Sequence, residues 1–376
     1  MALSLSRYVW PYGQSLASLF KERSQKEREM SIAMTTMPGN LLSTEDVVIE
    51  ILSRLPVKNL LRCKCVCKSW HAIITSPNFI SKHLRNYYDK SDSDCLLVQN
   101  CVSQAGELES LELLLDETPR VLSYDSLHMM PFHSPFLCGP CDGIFYMYRY
   151  YSDFRALWNP AINELRYLPP IPNPPSSFSY SPQYDAYGFG LHPVTKDYEV
   201  VVLKDLWREK EEERGRSGIS PEVIISFDMA TEICQEIQQP DYCRSSNDSK
   251  SLATYHDSLA LVVLQEMFLH MWTLNEGCWI KKVSIGPLPQ ISRPIGHWKS
   301  NKLILVSVSG ELILCDPSTQ EISDLEFIGC SQCVGVFDYK ESLVLVNNGN
   351  GCAKHNQKAD TGSSFLISSF IFHSKR

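Results

Sequence analysis

Leu42 to Leu84 (LSTEDVVIEILSRLPVKNLLRCKCVCKSWHAIITSPNFISKHL) is the segment that most constrains the fold. Ser43 is placed to cap a helix, and Asp46 three residues on gives a capping-box pattern. Val47, Ile51 and Leu55 recur at helical spacing, and Val48 and Leu52 widen the stripe. Pro56 ends this helix; Leu60, Leu61, Cys65 and Val66 carry a second, and Lys68 to Ile74 a third. A module of about 40 residues cannot build an independent core, so part of its apolar surface is expected to face another chain.

Within it, Leu55-Pro56-x-Lys58-x-Leu60 and Arg62-Cys63-Lys64-Cys65-Val66-Cys67-Lys68-Ser69-Trp70 resemble the F-box. The resemblance implies docking on a Skp-type adaptor and, through it, on a cullin. The positions it assigns to adaptor binding are Leu42, Val47, Ile51, Leu55, Pro56 and Leu60. Ser43 stands where the family has the proline of an opening Leu-Pro pair. Charge points to an acidic partner. Arg54, Lys58, Arg62, Lys64, Lys68, Lys82, Arg85 and Lys90 face one acid, Asp89, in a chain of net charge −8. No stacking aromatics interleave these cations, which argues against nucleic acid.

At 376 residues, with 44% hydrophobic and 21% charged residues, the chain has the composition of a soluble protein with one small module and one large domain. No apolar run reaches the roughly 20 residues of a membrane span. The 14 cysteines do not have the spacing of a disulfide framework and read as small hydrophobes in a reducing compartment, the cytoplasm with the nucleus as a second location. Residues 1–40 carry mixed charge without a signal-type apolar core and read as a disordered extension; 41–84 form the helical module and 85–94 a polar linker.

From 95 to 347 helical spacing gives way to short apolar runs such as Val200 to Leu203, Ile224 to Phe227, Leu259 to Leu264 and Leu303 to Val306, which read as strands. Between them an internal motif recurs. Asn159-Pro160-Ala161-Ile162-Asn163-Glu164 resembles Asp228-Met229-Ala230-Thr231-Glu232-Ile233 and Asp316-Pro317-Ser318-Thr319-Gln320-Glu321, with His192 to Asp197 a weaker copy and Asn275 to Cys278 a further tip. Several short strands per interval of about 40 residues predict propeller blades, with an irregular β-sandwich as the alternative.

Cys138-Gly139-Pro140-Cys141-Asp142-Gly143, the runs 157–170 and 187–203, and the stretch 269–316 resemble the F-box-associated domain, in particular that of the S-locus F-box proteins of flowering plants. The similarity covers most of residues 42–347. The expected class is therefore α+β multidomain: a three-helix F-box, then an all-β, kelch/propeller-like domain. The charged run Arg208 to Arg216 passes almost directly into Val223, where that family has further strands, so the domain reads as one blade short. The tail 348–376 is atypical; Phe365 to Phe372 either adds a strand or is a novel end with an exposed aggregation risk.

No Walker loop, dinucleotide glycine pattern, H-E-x-x-H or G-x-S-x-G occurs, and no cofactor, catalytic residue or metal is assigned. Cys138/Cys141 and Cys330/Cys333 form CxxC pairs too far apart in the chain to favour a zinc site. Removing +2 (1–40), −3 (41–53) and +7 (54–90) from the total of −8 leaves −14 for 91–376, which favours a basic protein client. Client-binding candidates are Tyr148, Tyr150, Tyr151 and Trp207 as anchors, and the acidic cluster Glu209, Glu211, Glu212 and Glu213.

The resemblance implies a non-catalytic substrate receptor of a Skp–cullin–F-box ubiquitin ligase that presents a protein client for ubiquitination and proteasomal degradation. In the S-locus branch the clients are pistil S-RNases, recognised in pollen during self-incompatibility. Alternatives are a related defence or hormone-signalling F-box protein, or a propeller-type binding protein that does not engage the adaptor. Neither nucleic acid nor membrane is an expected partner.

Overall fold

The computed structural model describes residues 44–88, 95–101, 109–115, 122–123, 135–171, 179–180, 186–203, 206–207, 222–243, 248–256, 258–298, 301–328, 335–346, 355–356 and 366–373. Leu42, Ser43 and the extension 1–40 lie outside them, as do Glu209, Glu211, Glu212, Glu213 and Cys330/Cys333. Among the described residues four helices come first, followed by an all-β region of several small sheets. No helix among the described residues is long and apolar enough to cross a membrane.

Helix α1 (Thr44–Leu52) carries Glu45 and Asp46 in its first turn, where the helix dipole favours acids. It belongs to a compact unit ending at Leu52; a second unit runs from Ser53. In that second unit Pro56, at φ −57°, caps α2 (Val57–Cys63) and starts it by accepting from the Asn59 and Leu60 amides. Helix α3 (Lys68–Thr75) is capped by Cys67, whose Sγ accepts from the Trp70 amide at 3.4 Å. Helix α4 (Pro77–Tyr88) packs on α3, which also touches α2. Two expectations are corrected. The module has four helices rather than three, and α4 runs to Tyr88, into the stretch expected as a linker. Cys65 and Val66 also lie beyond the second helix, in a turn closed onto the carbonyls of Arg62 and Cys63.

Most of the β region consists of antiparallel four-stranded sheets. Three run in chain order: β4–β7 (Phe136–Cys141, Ile144–Tyr148, Arg155–Asn159, Glu164–Tyr167), β14–β17 (Ser249–Tyr255, Ser258–Gln265, Phe268–Asn275, Cys278–Ile285) and β18–β21 (Ile291–Trp298, Lys302–Ser307, Glu311–Cys315, Ile322–Ile328). A fourth joins distant segments: β22 (Gly335–Tyr339) pairs with β1 (Cys95–Cys101), followed by β2 (Glu109–Leu115) and β3 (Leu122–Ser123). β9 (Ala186–Leu191) and β10 (Tyr198–Leu203) form a hairpin joined by β23 (His355–Asn356). β12 (Glu222–Asp228) and β13 (Ile233–Ile237) are joined by β24 (Leu366–His373). A minor ladder pairs β8 (Ser179–Tyr180) with β11 (Leu206–Trp207).

Apolar clusters link neighbouring sheets. Leu269 and Met271 of the β14–β17 sheet pack with Leu303 and Leu305 of the β18–β21 sheet. Ile304 and Val306 pack with Leu96 and Val98. Cys95 and Leu97 pack with Phe145 and Trp158. Tyr146 packs with Phe189 and Val200. Val201 packs with Phe227, and Ile224 with Leu261 and Val263, which returns to the β14–β17 sheet. Alternate residues of one strand thus serve two neighbouring cores. A strand buried on both faces needs apolar residues at every position, which is why these strands read as continuous runs rather than alternating patterns. The first strands of the sheets lie side by side in the order β14, β18, β22, β4, β9, β24.

The repeated sequence motif is one physical device. Its first residue accepts from the amide two positions on: Asn159 from Ala161 at 3.0 Å, His192 from Val194 at 3.2 Å, Asp228 from Ala230 at 2.7 Å and Asp316 from Ser318 at 2.8 Å. Its fifth residue is left-handed in every copy: Asn163 (φ 52°), Lys196 (58°), Glu232 (55°) and Gln320 (61°). The side-chain acceptor replaces a backbone bond and reverses the chain at the sheet edge. The Asn275–Cys278 tip is different, a two-residue turn with Glu276 and Gly277 both at positive φ.

Candidate functional site

The helical segments expose apolar and basic groups. On α1, Val47 is half-buried and Ile51 exposed, while Leu52 is inside. In the second unit the turn before α2 is clamped from α4. His83, fully buried, donates from Nε2 to the Leu55 carbonyl at 2.9 Å, and Asn86 donates to Ser53 Oγ at 2.9 Å. With its backbone fixed, this turn leaves Leu55 half-exposed and Pro56 exposed. Arg54, Lys58, Arg62, Lys68 and Arg85 of the same unit are exposed.

Leu60 is placed differently from the sequence expectation. It is 0% exposed, on the inner face of α2 with Val57, so it supports the module and offers no surface contact. The outward apolar group is Val66, 55% exposed between the exposed Cys65 and Cys67. Because α2 stops at Cys63, Val66 leaves the buried stripe.

The aromatic candidates of the β region divide in the same way. Tyr148 is a core residue, stacked on Tyr187 with centroids 3.8 Å apart, and burial pushes its hydroxyl well above the usual tyrosine range. It therefore supports a surface rather than forming one, which corrects its assignment as a contact. Tyr151 is 70% exposed at φ 55°, and Tyr150 is half-buried against the exposed Phe136 at 4.6 Å. The loop carrying them is organised by a buried arginine. Arg155 Nη1 donates to the carbonyls of Arg149 (3.0 Å), Ser152 (2.8 Å) and Phe154 (2.7 Å). Phe136 and Arg155 carry no recognisable signal in the sequence, since neither belongs to a motif. Trp207 lies on β11, and its side chain is outside the described residues.

Cys138 is a packed thiol on β4 that donates to the Tyr187 carbonyl at 3.4 Å. Burial raises its pKa to about 12, so it stays protonated at neutral pH. Among the described residues no three His, Cys, Asp or Glu side chains are grouped to hold a metal. What the arrangement offers is contact: apolar and cationic groups on the helices, and aromatic groups on a fastened loop of the β region.

Comparison with known proteins agrees with the class. Residues 44–82 match the F-box domain, the module that binds Skp-type adaptors. The chain is homologous to F-box proteins of Arabidopsis thaliana. It is 24% identical over 321 residues to F-box/kelch-repeat protein At3g23880, covering 69% of this chain and 84% of that one. It is 24% identical over 323 residues to probable F-box protein At1g14315, covering 81% and 99%. With F-box protein CPR1 it shares 29% identity over 173 residues, 46% of this chain and 40% of that protein. Among solved structures, TolB from Acinetobacter baumannii aligns at TM-score 0.29 and 10% identity, over 66% of this chain and 59% of that one, too weakly to bear on the fold.

Proposed function

We propose that this chain is a substrate-recognition subunit of a Skp–cullin–F-box ubiquitin ligase. The observation that carries the reading is the F-box match over 44–82, on residues that leave Ile51 and Pro56 at the surface and Leu55 half-exposed. The helical module grips the adaptor. The β region holds a protein client for ubiquitination and proteasomal degradation, working in the cytoplasm with the nucleus as a second location. Catalysis is by placement: a client lysine held near a charged conjugating enzyme reacts through raised effective concentration, with no chemistry supplied by this chain.

For the β region we read a kelch-like, six-bladed propeller. The apolar clusters that link neighbouring sheets and the pairing of β22 with β1, which joins the two ends of the region, support it. The loop bearing Tyr150 and Tyr151 is the proposed client contact, with Phe136 beside it, and the surplus of acid over residues 91–376 favours a basic client. The finer reading, S-RNase recognition in pollen, rests on the resemblance of residues 138–143, 157–170 and 187–203 alone.

A pull-down with a Skp-type adaptor tests the class. Retention of the wild-type chain is expected, and absence of retention would leave a β-region binding protein outside the ligase. Affinity purification from pollen and leaf with ligase activity blocked tests the client. S-RNases recovered from pollen support the S-locus reading; their absence there shifts it to a defence or hormone-signalling protein.

A further inference from the structure

We infer that the C-terminal segment Leu366–His373 is a complementing strand: along β12 it takes the outer position that, in the β14–β17, β18–β21 and β4–β7 sheets, is held by the strand just before in the sequence. In the β14–β17, β18–β21 and β4–β7 sheets the first strand directly precedes its partner in the sequence, and it lies beside the first strand of the next sheet. Among the described residues β12 pairs with no such predecessor. It pairs with β13 on one side, and on the other it takes β24 from the far end of the chain.

Two features mark β24 as a substitute. It runs parallel to β12, whereas the four-stranded sheets are antiparallel throughout. A parallel neighbour cannot come from a hairpin and must return through a long connection. Its register also covers the whole of β12, from Glu222↔Leu366 to Asp228↔His373, with one bulge after Val223. It lies beside β9 as well, as the first strands of the other sheets lie beside one another.

The slot has a physical need for an occupant. Ile224 and Phe227 are buried at 1% and 2% exposure, in the clusters on either face of β12. An unpaired edge on such a strand leaves backbone N–H and C=O groups without partners and offers a template for aggregation. The segment LISSFIF has neither charge nor proline, the composition that pairs avidly with any open edge. Seating it on β12 satisfies both edges at once. The occupant is thus this chain's own tail, and the chemistry of the slot suits an extended, uncharged, β-branched or aromatic peptide.

Two measurements on the full chain test this, and neither depends on the ligase reading. In the first, Ile225→Cys with Phe370→Cys is oxidised mildly beside the off-register pair Ile225→Cys with Leu366→Cys. A disulfide in the first pair and not the second is expected; none in the first, or equal yield in both, would overturn the assignment. In the second, a protease site is inserted between residues 360 and 365 and cut under native conditions. The released tail should co-elute with the body, and Ser369→Pro with Phe370→Pro, adjacent residues whose amides point to opposite sides so that one ladder donor is lost, should release it. Loss of the unmodified tail from a folded body, or retention of the proline variant, would refute the slot.

Discussion

Asn159 donates from Nδ2 to the Val344 carbonyl at 2.9 Å across a separation of 185 residues. A second bond runs to the Ser342 carbonyl at 3.1 Å, while Oδ1 accepts from the Ala161 amide at 3.0 Å. One fully buried side chain therefore both forms a hairpin tip and anchors the chain that follows β22. Glu164 adds to the tie by accepting from the Val346 amide at 3.0 Å.

Asn159→Asp keeps the shape of the side chain and loses both donors, turning a carboxylate onto two carbonyls. Leaving such groups unpaired in the interior costs about 2–3 kcal/mol. The unfolding free energy should fall by that amount, seen as a lower urea midpoint at unchanged m-value; a midpoint within error of wild type would show the tie to be dispensable.

The two-residue turns give a pair of opposite predictions. Gly143 sits at φ 76°, and a Cβ there would lie 2.7 Å from both the Lys340 carbonyl and Ser342 Cβ. Gly143→Ala should therefore destabilise by about 1–3 kcal/mol. Met267 has φ 68° in a turn with Glu266 at 49°, and its side chain is 56% exposed. Met267→Gly removes the left-handed penalty and should stabilise by about 1 kcal/mol. Thermal and urea unfolding would check both signs.

The helical module separates docking from support. Leu55→Asp with Pro56→Asp alters groups at or near the surface and should abolish adaptor retention while the far-UV spectrum is kept. Leu60→Ala empties a buried site and should cost about 2–5 kcal/mol of module stability instead. Full retention by the double aspartate variant would move the docking face elsewhere, with Val66→Asp the next variant to assay.

His297 accepts from the Thr254 amide at 3.4 Å, and burial holds its pKa below the ordinary value of 6.5. The neutral ring is the folded form, so the unfolded chain binds more protons just below pH 6.5. Stability is complete above that pH and falls as the pH drops from about 6.5 toward the folded pKa. His297→Gln should flatten the loss measured by urea unfolding between about pH 6.5 and 5. An unchanged slope would assign it to other groups.

The helical module, the strand-rich class of the remainder and the recurring tips were readable in the primary structure because each depends on local spacing. Capping residues, apolar periodicity and an Asn, Asp or His five residues ahead of the return strand act over a few residues of chain. Orientation was less readable. The sequence places Leu60 and Val66 on one helix, yet α2 ends between them, with Leu60 buried and Val66 exposed. Likewise Tyr148 and Tyr151 differ only by which side of the loop held by Arg155 they occupy.

By itself, then, the sequence determined the kinds of element, the F-box motif and the repeated turn chemistry, all set by contacts between near neighbours in the chain. The tertiary structure alone decided which strands became neighbours. β22 pairs with β1, Asn159 reaches Val344, and β24 runs along β12, because backbone edges and buried amides must find partners wherever the chain can supply them. Such pairings join segments far apart in the chain, and no local pattern encodes them.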